Sequence, residues 1–418
     1  MTINRTYAAN RVAVAFLLWL LGCVEAHGQN HLARRVLTIP VEVNNVAGAF
    51  LIDTGADGTI IDAAFARRLG LKPSGTASIQ RSYSTEESTV VTAEHVRVGQ
   101  KEFSDVPLVI EDLSNLSRTQ TSSISGVLGT DLLATMTLEL SYSSGTAKVI
   151  PDTGGSGTLV ALKTVRNRYF VPVRIGPATF DMLLDSGTNM TAFSNSAWQT
   201  LPSSWRPGNL VQGIQSSGSP PVAGIACLPV LYLGGLAQRE MTLRNHPVRV
   251  IMPPQSGSFA DPAFAGALGG DILERFEVIL DLRHAAMYLK PDAGFRPDPY
   301  EFVTVGIQFY KADANAFSVV AVWRDSPAEA AGVLIGDRIL SVNGRSAADL
   351  DLETFAGQLH GAPGTPIVIQ AERGARKLTL RMKTRQLVCQ SGDRELTLDT
   401  LKKQHMEAPI CWKSNPSY

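Results

Sequence analysis

Two short stretches of the sequence each place an aspartate at the end of an apolar run and follow it with a hydroxyl residue and a glycine. The first reads Phe-Leu-Ile-Asp-Thr-Gly and contains Asp53, and the second reads Met-Leu-Leu-Asp-Ser-Gly and contains Asp185. A carboxylate at the end of an apolar strand costs free energy unless it is paired with another group or takes part in a reaction. One such triplet alone is typical of a turn or a helix N-cap. Two copies favour a chemistry that needs two carboxylates.

The residues after each aspartate could support that chemistry. Thr54 and Ser186 can donate hydroxyl hydrogen bonds near the turn, and Gly55 and Gly187 allow a tight backbone there. If two carboxylates are held close together, they cannot both ionise easily, so they share one proton and titrate as a pair. The ionised member can then act as general base on a water molecule, while the protonated member donates to a carbonyl oxygen.

The two stretches belong to an internal repeat. The aspartates lie 185 − 53 = 132 residues apart, and Pro40 and Pro172 precede them at the same offset. Each half also ends in a similar glycine element, Val127-Leu128-Gly129 in the first and Ala267-Leu268-Gly269 in the second. A shared offset over so many positions indicates two copies of one lobe. Each lobe offers one carboxylate.

Composition limits the other functional classes. The chain has 418 residues, with 38 Lys+Arg and 38 Asp+Glu, so its formal charge is zero and nothing favours nucleic acid binding. The length predicts two to four domains. The 7 histidines are scattered, without His-Glu-x-x-His or Cys-x-x-Cys motifs. We therefore expect neither a metal site nor a cofactor.

The N-terminus has the pattern of a targeting segment, predicted at 1–28. Basic residues precede the apolar run Val12–Leu21, which is too short to span a bilayer. Small residues at 24–28 suit signal-peptide cleavage, whereas Leu20-Leu21-Gly22-Cys23 resembles a bacterial lipobox, which would leave Cys23 lipidated. Simple export to the periplasm or medium is favoured, and a retained membrane anchor is the third alternative.

Export makes disulfides possible. Removal of the leader leaves Cys227, Cys389 and Cys411. Cys389 and Cys411 lie in the same C-terminal tail and could pair. The alternative is three reduced, buried thiols.

Periodicity predicts a mainly β chain. Segments in which apolar and polar residues alternate, or in which strand-forming residues cluster, predict strands through 29–150. Asn44-Asn45 is predicted as a hairpin turn, and Ile61–Leu71 as a short helix closed by Gly70. Turn-forming residues at 151–157 predict a linker, and 158–292 repeats the plan of the first lobe. A second linker precedes 300–385, which combines strands with a helix near 351–360, and 386–418 is a polar tail.

The stretch Leu51–Asp62 resembles the active-site segment of retropepsin-like aspartic proteases, the family of the retroviral enzymes, and the two glycine elements resemble its hydrophobic-hydrophobic-Gly motif. The resemblance implies β-barrel lobes and a dyad of Asp53 and Asp185. The duplication further implies a pepsin-like pseudo-dimer within one chain. Retroviral members usually carry an Arg after the glycine element that pairs with an acid like Asp57. Here Thr130 and Gly270 occupy those positions, so this support is missing or replaced.

Two flaps are expected by position at Arg81–Val91 and Gln212–Val222. Tyr83 is either a substrate-covering residue or a solvent-exposed side chain.

The third region resembles the PDZ domains attached to bacterial exported proteases. The resemblance rests on Ser326-Pro327-Ala328, Gly336-Asp337 and Val342-Asn343-Gly344 in order. It implies that an extended peptide adds to a sheet edge and that its C-terminal carboxylate enters a backbone nest. The implied residues are those of the nest, the edge strand and the facing helix: Val305, Gly306, Ile307, Phe309, Leu352, Phe355 and Leu359. Alternatively, Phe355 and Leu359 pack the core, and the domain docks against the protease.

Together these observations predict an exported, monomeric aspartic endopeptidase that acts on peptides or proteins, with a PDZ domain that recruits or senses peptide C-termini. One alternative is an inactive peptide-binding scaffold that works through the PDZ domain. Another is a dimer that builds each dyad from two chains.

Overall fold

The computed structural model describes residues 16–18, 37–82, 84–114, 116, 123–152, 154–201, 209–213, 222–234, 241–251, 254, 256–297, 300 and 302–389. Within these ranges the fold is mainly β with few helices, as the sequence predicts. The strands are β1 (Phe16–Leu18), β2 (Thr38–Val43), β3 (Val46–Ile52), β4 (Ile60–Asp62), β5 (Pro73–Arg81), β6 (Thr85–Val98), β7 (Lys101–Glu111), β8 (Gly126–Leu128), β9 (Thr137–Ser141), β10 (Thr146–Ile150), β11 (Thr158–Ala161), β12 (Lys163–Val165), β13 (Arg168–Ile175), β14 (Ala178–Leu184), β15 (Ala192–Ser194), β16 (Asn209–Gly213), β17 (Val222–Leu233), β18 (Thr242–Ile251), β19 (Gly266–Leu268), β20 (Phe276–Asp281), β21 (Ala286–Pro291), β22 (Val303–Thr304), β23 (Ile307–Asp313), β24 (Ala316–Trp323), β25 (Arg338–Val342), β26 (Arg345–Ser346), β27 (Pro366–Arg373), β28 (Arg376–Lys383) and β29 (Arg385–Gln386).

The helices are short and locally capped. They are α1 (Ala63–Arg68), α2 (Thr130–Leu133), α3 (Asn195–Thr200), α4 (Gly270–Leu273), α5 (Pro327–Ala330) and α6 (Leu352–Gln358). The side chain of Asp62 caps α1 by accepting from two backbone N–H groups, and Ser194 caps α3 in the same way with one. Gly70 follows α1 with φ +67°, the left-handed conformation that favours glycine at a helix end.

Each lobe closes into a six-stranded barrel. In the first lobe the order is β6-β2-β3-β8-β4-β7, and β7 pairs back onto β6. In the second lobe the order is β13-β14-β19-β15-β18-β17, and β17 pairs back onto β13. The alternating burial along β13 shows the period-2 pattern of a strand with one face toward a barrel interior. The internal repeat in the sequence is thus a repeat of one barrel.

The two barrels meet at a central sheet with the order β10-β9-β20-β21-β11. The strand that closes the first lobe, β9, runs antiparallel to its counterpart β20, with Leu138 opposite Leu280 and Leu140 opposite Val278. All four leucine and valine side chains are buried. One hydrophobic cluster therefore runs through both lobes, which form an intrachain pseudo-dimer.

The PDZ region has its own core and is also joined to the second lobe. Phe317 stacks on Phe355 with ring centroids 3.8 Å apart at the centre of that core. Strand β24 pairs with β16 of the second lobe, with Trp323 opposite Val211, so one sheet continues from the second lobe into the PDZ region.

The C-terminal segment forms a further link. A disulfide joins Cys389 to Cys227 of β17, so the suggested pairing of Cys389 with Cys411 is wrong in this structure, as is the alternative of three reduced thiols. Leu387 and Val388 are buried and follow β29, which pairs with β22. The first residues of the predicted tail are therefore part of the folded structure. Cys411 lies outside the described residues.

The predicted leader contributes one described element. Residues Phe16–Leu18 pair in parallel with the end of β5, with Phe16 opposite Ile79. Cys23 lies outside the described residues. In the parts of the chain that the structure describes, no helix is long and apolar enough to cross a membrane.

Candidate active site

The two aspartates are delivered by equivalent strand pairs. In each lobe the strand before the aspartate runs parallel to the strand of the glycine element, with Ile52 opposite Leu128 and Leu184 opposite Leu268. The backbone N–H of Asp53 donates to Leu128 O at 3.1 Å, and that of Asp185 donates to Leu268 O at 3.0 Å. This pairing fixes where each strand ends and therefore the position of each aspartate.

Both carboxylates are fully buried and are held by their own turns. Oδ1 of Asp53 accepts from the N–H groups of Gly55 at 2.8 Å and Ala56 at 3.2 Å. Oδ1 of Asp185 accepts from the N–H groups of Gly187 at 3.0 Å and Thr188 at 2.9 Å. The Oδ2 atoms are also buried, and neither has a hydrogen-bond partner among the described protein atoms. Each carboxylate thus has one oxygen fixed by the backbone and one that remains to bind a reactant.

A reciprocal pair of hydroxyl groups locks the turns together. Thr54 Oγ1 donates to Leu184 O at 2.8 Å and accepts from the N–H of Ser186 at 3.0 Å. Ser186 Oγ donates to Ile52 O at 2.8 Å and accepts from the N–H of Thr54 at 3.1 Å. The four bonds are related by the pseudo-twofold axis and cross between the lobes. They explain why a hydroxyl residue follows each aspartate.

The glycines after the hydroxyl residues allow the two turns to approach each other. A Cβ atom at Gly55 would lie 2.6 Å from Cγ of Asp185, and one at Gly187 would lie 2.5 Å from Cγ of Asp53. Such distances leave no room for a side chain, so these glycines are required for the close approach. The structure therefore brings Asp53, Asp185 and their four predicted supporting residues into one site.

Burial and proximity change how the carboxylates titrate. Burial raises the pKa of Asp53 from 3.8 to about 6, against the opposing effect of its bonds from Gly55 and Ala56. Burial also raises the pKa of Asp185 well above its ordinary value, and the nearby charge of Asp53 raises it further. The first proton therefore leaves the pair more easily than the second, which leaves a range of pH with one proton on two carboxylates.

A second layer, which the sequence did not identify, supports the glycine elements. Thr59 Oγ1 donates to Asp131 Oδ1 at 2.7 Å and accepts from Gly129 N–H at 3.2 Å. In the second lobe Thr191 Oγ1 donates to Asp271 Oδ1 at 2.8 Å and accepts from Gly269 N–H at 3.1 Å. The signal was present as a Thr six residues after Asp53 and Asp185 and an Asp two residues after Gly129 and Gly269.

The second lobe extends this layer by one residue. His246 Nε2 lies 2.9 Å from Asp271 Oδ2, and both side chains are 2% exposed. The Arg275 guanidinium, which can only donate, lies 3.5 Å from Nδ1 of the same imidazole. This arrangement favours the tautomer with its proton on Nε2, donating to Asp271.

The Arg support expected from retroviral enzymes is replaced by an ion pair between lobes. Arg168 at the start of β13 donates from Nη2 to Asp57 Oδ2 at 3.1 Å, and the two side chains are 20% and 11% exposed. At the position where the family carries its Arg, Thr130 instead donates to Ala56 O through its N–H at 2.8 Å. The acid therefore keeps a cationic partner, which comes from the other lobe.

The first predicted flap is the hairpin of β5 and β6, and its tip contacts the second lobe. Phe259 N–H donates to Ser82 O at 3.2 Å, and a Cβ atom at Gly257 would lie 2.6 Å from Arg81 O. Tyr83 lies outside the described residues. The second predicted flap, Gln212–Val222, coincides with the facing ends of β16 and β17, and the residues between Gly213 and Val222 are not described.

The predicted nest and edge-strand residues of the PDZ region lie at one sheet edge. Among the described residues no strand pairs with β23 on the side away from β24. Gly306 has φ +82°, and a Cβ atom there would lie 2.5 Å from Ser326 Cβ, so the loop 305–307 needs its glycine. The side chains of Val305, Ile307 and Phe309 are buried.

The facing helix α6 packs its apolar side chains into the core of the PDZ region. Phe355 and Leu359 have no exposed surface and belong to the core, whereas Leu352 is partly exposed. The geometry therefore assigns Phe355 a packing role in the core, and any part in a groove would be indirect.

One group of described side chains has the ligand types of a metal site: Asp152, Asp281 and His284. Arg283 already donates to Asp152 at 2.9 Å, and His284 pairs with Asp281 at 2.8 Å. These contacts account for the cluster.

Comparison with known proteins agrees with both parts of the chain. Residues 39–132 match the aspartyl protease family, and residues 318–373 match the PDZ domain family. A probable CtpA-like serine protease of Staphylococcus saprophyticus is 30% identical over 83 residues, which is 20% of this chain and 17% of that protein. The chain thus spans under a fifth of the length of this curated relative. The chain joins an aspartyl protease domain to a C-terminal PDZ domain.

Proposed function

We propose that this protein is an exported aspartic endopeptidase whose catalytic dyad is Asp53 and Asp185. The observation that carries the proposal is the matched pair of buried carboxylates, each with Oδ1 bound by two backbone N–H groups and with Oδ2 left for a reactant. A water between the two Oδ2 atoms is activated by the ionised carboxylate. The protonated carboxylate donates to the carbonyl oxygen of the scissile peptide bond.

The neighbouring residues hold this geometry. Thr54 and Ser186 fix the angle between the two turns through their crossed hydrogen bonds, and Gly55 and Gly187 let the carboxylates approach. Because both partners of the dyad come from one chain, the enzyme is proposed to work as a monomer. No cofactor takes part in this mechanism.

The substrate is a peptide or protein segment in extended conformation. Such a segment lies between the lobes under the β5–β6 hairpin, whose tip already contacts the second lobe at Phe259. The PDZ region offers a second site, where a peptide C-terminus pairs with the edge of β23 and places its carboxylate at the loop 305–307. We propose that this site recruits or senses peptides.

Export is supported by the leader pattern and by the disulfide between Cys227 and Cys389, because disulfides persist in oxidising compartments. The proposed location is the periplasm or the medium. Lipidation at Cys23 is tested separately by labelling cells with a radioactive fatty acid.

The test is cleavage of a quenched peptide library by the mature protein between pH 3 and 9, beside Asp53→Asn and Asp185→Asn. We expect both variants to lose cleavage and a statine-containing peptide to inhibit the wild type. Full activity in either variant would refute the intrachain dyad. Inactivation by a serine-directed phosphonate, without an effect of statine, would favour serine protease chemistry. Absence of cleavage in folded wild type would favour a peptide-binding scaffold, and a sizing column tests the monomer.

A further inference from the structure

Among the differences between the two repeated turns, one replaces a glycine by a large apolar side chain. Gly58 in the first lobe corresponds to Met190 in the second, since 190 − 58 = 132. Both residues lie against their glycine elements: a Cβ atom at Gly129 would be 2.5 Å from the carbonyl carbon of Gly58, and one at Gly269 would be 2.9 Å from that of Met190. The backbone position is therefore the same. Only the second lobe places a side chain there.

That side chain belongs to a hydrophobic cluster that extends into the PDZ region. Met190 is 7% exposed and belongs to a separate hydrophobic cluster, which we call the docking cluster. Its other buried members are Ile225 of β17, Phe302, Trp323 of β24, Leu387 and Val388. Four of these five residues lie outside the two lobes, so the cluster links Met190 to the PDZ region.

Two further links hold the PDZ region at this place. Strand β24 pairs with β16 over three registered positions, which end at Trp323 opposite Val211. The disulfide ties Cys389, next to Val388, to Cys227 on the strand that carries Ile225. The docking cluster is therefore flanked by a sheet on one side and by a covalent bond on the other.

We propose that the PDZ region completes the protease site in cis, with Trp323 as the positioning residue that holds the second catalytic turn through the docking cluster. The proposal rests on the proposed protease function. The Asp185 turn is held by hydrogen bonds from Gly187 and Thr188 to its carboxylate and by the bond from Ser186 N–H to Thr54. Met190 follows this turn directly, so loss of its apolar cover frees one end of the turn. The first turn has Gly58 at the matching position and contributes no residue to the docking cluster.

The test is amide hydrogen exchange on the full chain, and the first turn serves as an internal control. In wild type, amides 187 and 188 donate to Asp185 within the second turn, and amides 55 and 56 donate to Asp53 within the first. We expect Trp323→Ala to speed exchange at 187 and 188 by about tenfold or more and to leave 55 and 56 unchanged. The matched control is Val319→Ala, which removes a buried side chain from the same strand but outside the docking cluster. It should change neither turn.

Kinetics and a second substitution give independent readouts. Trp323→Ala should lower kcat by about 10- to 100-fold and keep KM within about twofold of the wild type. The reason is that the substitution displaces a carboxylate but leaves the peptide-binding surface unchanged. Trp323→Phe should restore most of the loss. Met190→Ala should slow turnover similarly, and the double variant should be no worse than either single variant.

Equal exchange in the two turns of Trp323→Ala would overturn the proposal. So would an effect of Val319→Ala as large as that of Trp323→Ala, because it would indicate general loosening of the PDZ region. The exchange experiment does not need turnover. If the wild type cleaves no peptide, the proposed function fails on its own, and the exchange data still decide whether Trp323 positions the turn.

Discussion

Replacing Asp53 by Asn should stabilise the folded protein at neutral pH while abolishing the proposed activity. Burial raises the pKa of Asp53 from 3.8 to about 6 in the folded protein. When folding raises the pKa of an acid, that acid stabilises the folded protein in full at pH values below its pKa in the unfolded chain. The stabilisation is lost as the pH rises through its pKa in the folded protein. At 1.36 kcal/mol per pKa unit, the wild type loses roughly 3 kcal/mol between pH 4 and pH 7. Asn has no charge to bury, and its Oδ1 can still accept from Gly55 and Ala56.

The assay is thermal unfolding of both forms from pH 4 to pH 8. For a barrel lobe of this size, roughly 3 kcal/mol corresponds to a Tm difference of about 6–12 °C at pH 7, which should shrink toward zero at pH 4. Asp57→Asn is the matched control. It removes the ion pair with Arg168 and should lower Tm at pH 7. A Tm gain for Asp53→Asn that is equal at pH 4 and pH 7 would refute the reasoning, because it would not come from titration of this carboxylate.

Three more perturbations test the site. The pH profile of kcat/KM should have its acid limb near pH 6, where Asp53 takes up its proton, and an acid limb below pH 4 would contradict this. Thr54→Ala and Ser186→Ala each remove buried hydrogen bonds between the lobes. Each should lower the free energy of unfolding, measured in urea, by about 1–3 kcal/mol and to a similar extent. A loss of stability in only one of the two variants would contradict the symmetric lock. Gly55→Ala should abolish turnover in the peptide assay, because its Cβ atom would lie 2.6 Å from Cγ of Asp185, and retained activity would show that the turns are farther apart.

Much of the site could be predicted because it is repeated in the sequence. Two copies of Asp-[Thr/Ser]-Gly at one offset, each followed by a glycine element, predicted two lobes with one carboxylate each. The structure brings Asp53, Asp185, Thr54 and Ser186 together accordingly. Period-2 alternation also predicted the strand at Val36–Val43, because a strand with one buried face leaves that pattern in its own sequence.

The unpredicted features depend on contacts between residues far apart in the chain. The partner of Asp57 is Arg168, 111 positions later, and nothing local in either segment indicates the pairing. Cys389 had a sequence neighbour in Cys411, yet it bonds to Cys227, because the end of the PDZ region lies against β17. Phe355 was placed at the peptide groove by resemblance, whereas its stacking on Phe317 became evident only from the packed core.

Duplication explains why the two halves of one site can differ. A homodimer must change both copies of a residue at once, whereas a fused pair can change one lobe and keep the other. Here the aspartates, the hydroxyl residues and the Thr–Asp supports match across the lobes, and these groups set the geometry of the dyad. The differences lie outside this set: Asp57 of the first lobe pairs with Arg168 where the second lobe has Asn189, Met190 replaces Gly58, and His246 binds Asp271. The last two differences lie in the second lobe, which also pairs with the PDZ region. Met190 therefore departs from its counterpart on the side of the molecule where the PDZ region is attached, and the fused chain can adapt that lobe without changing the other.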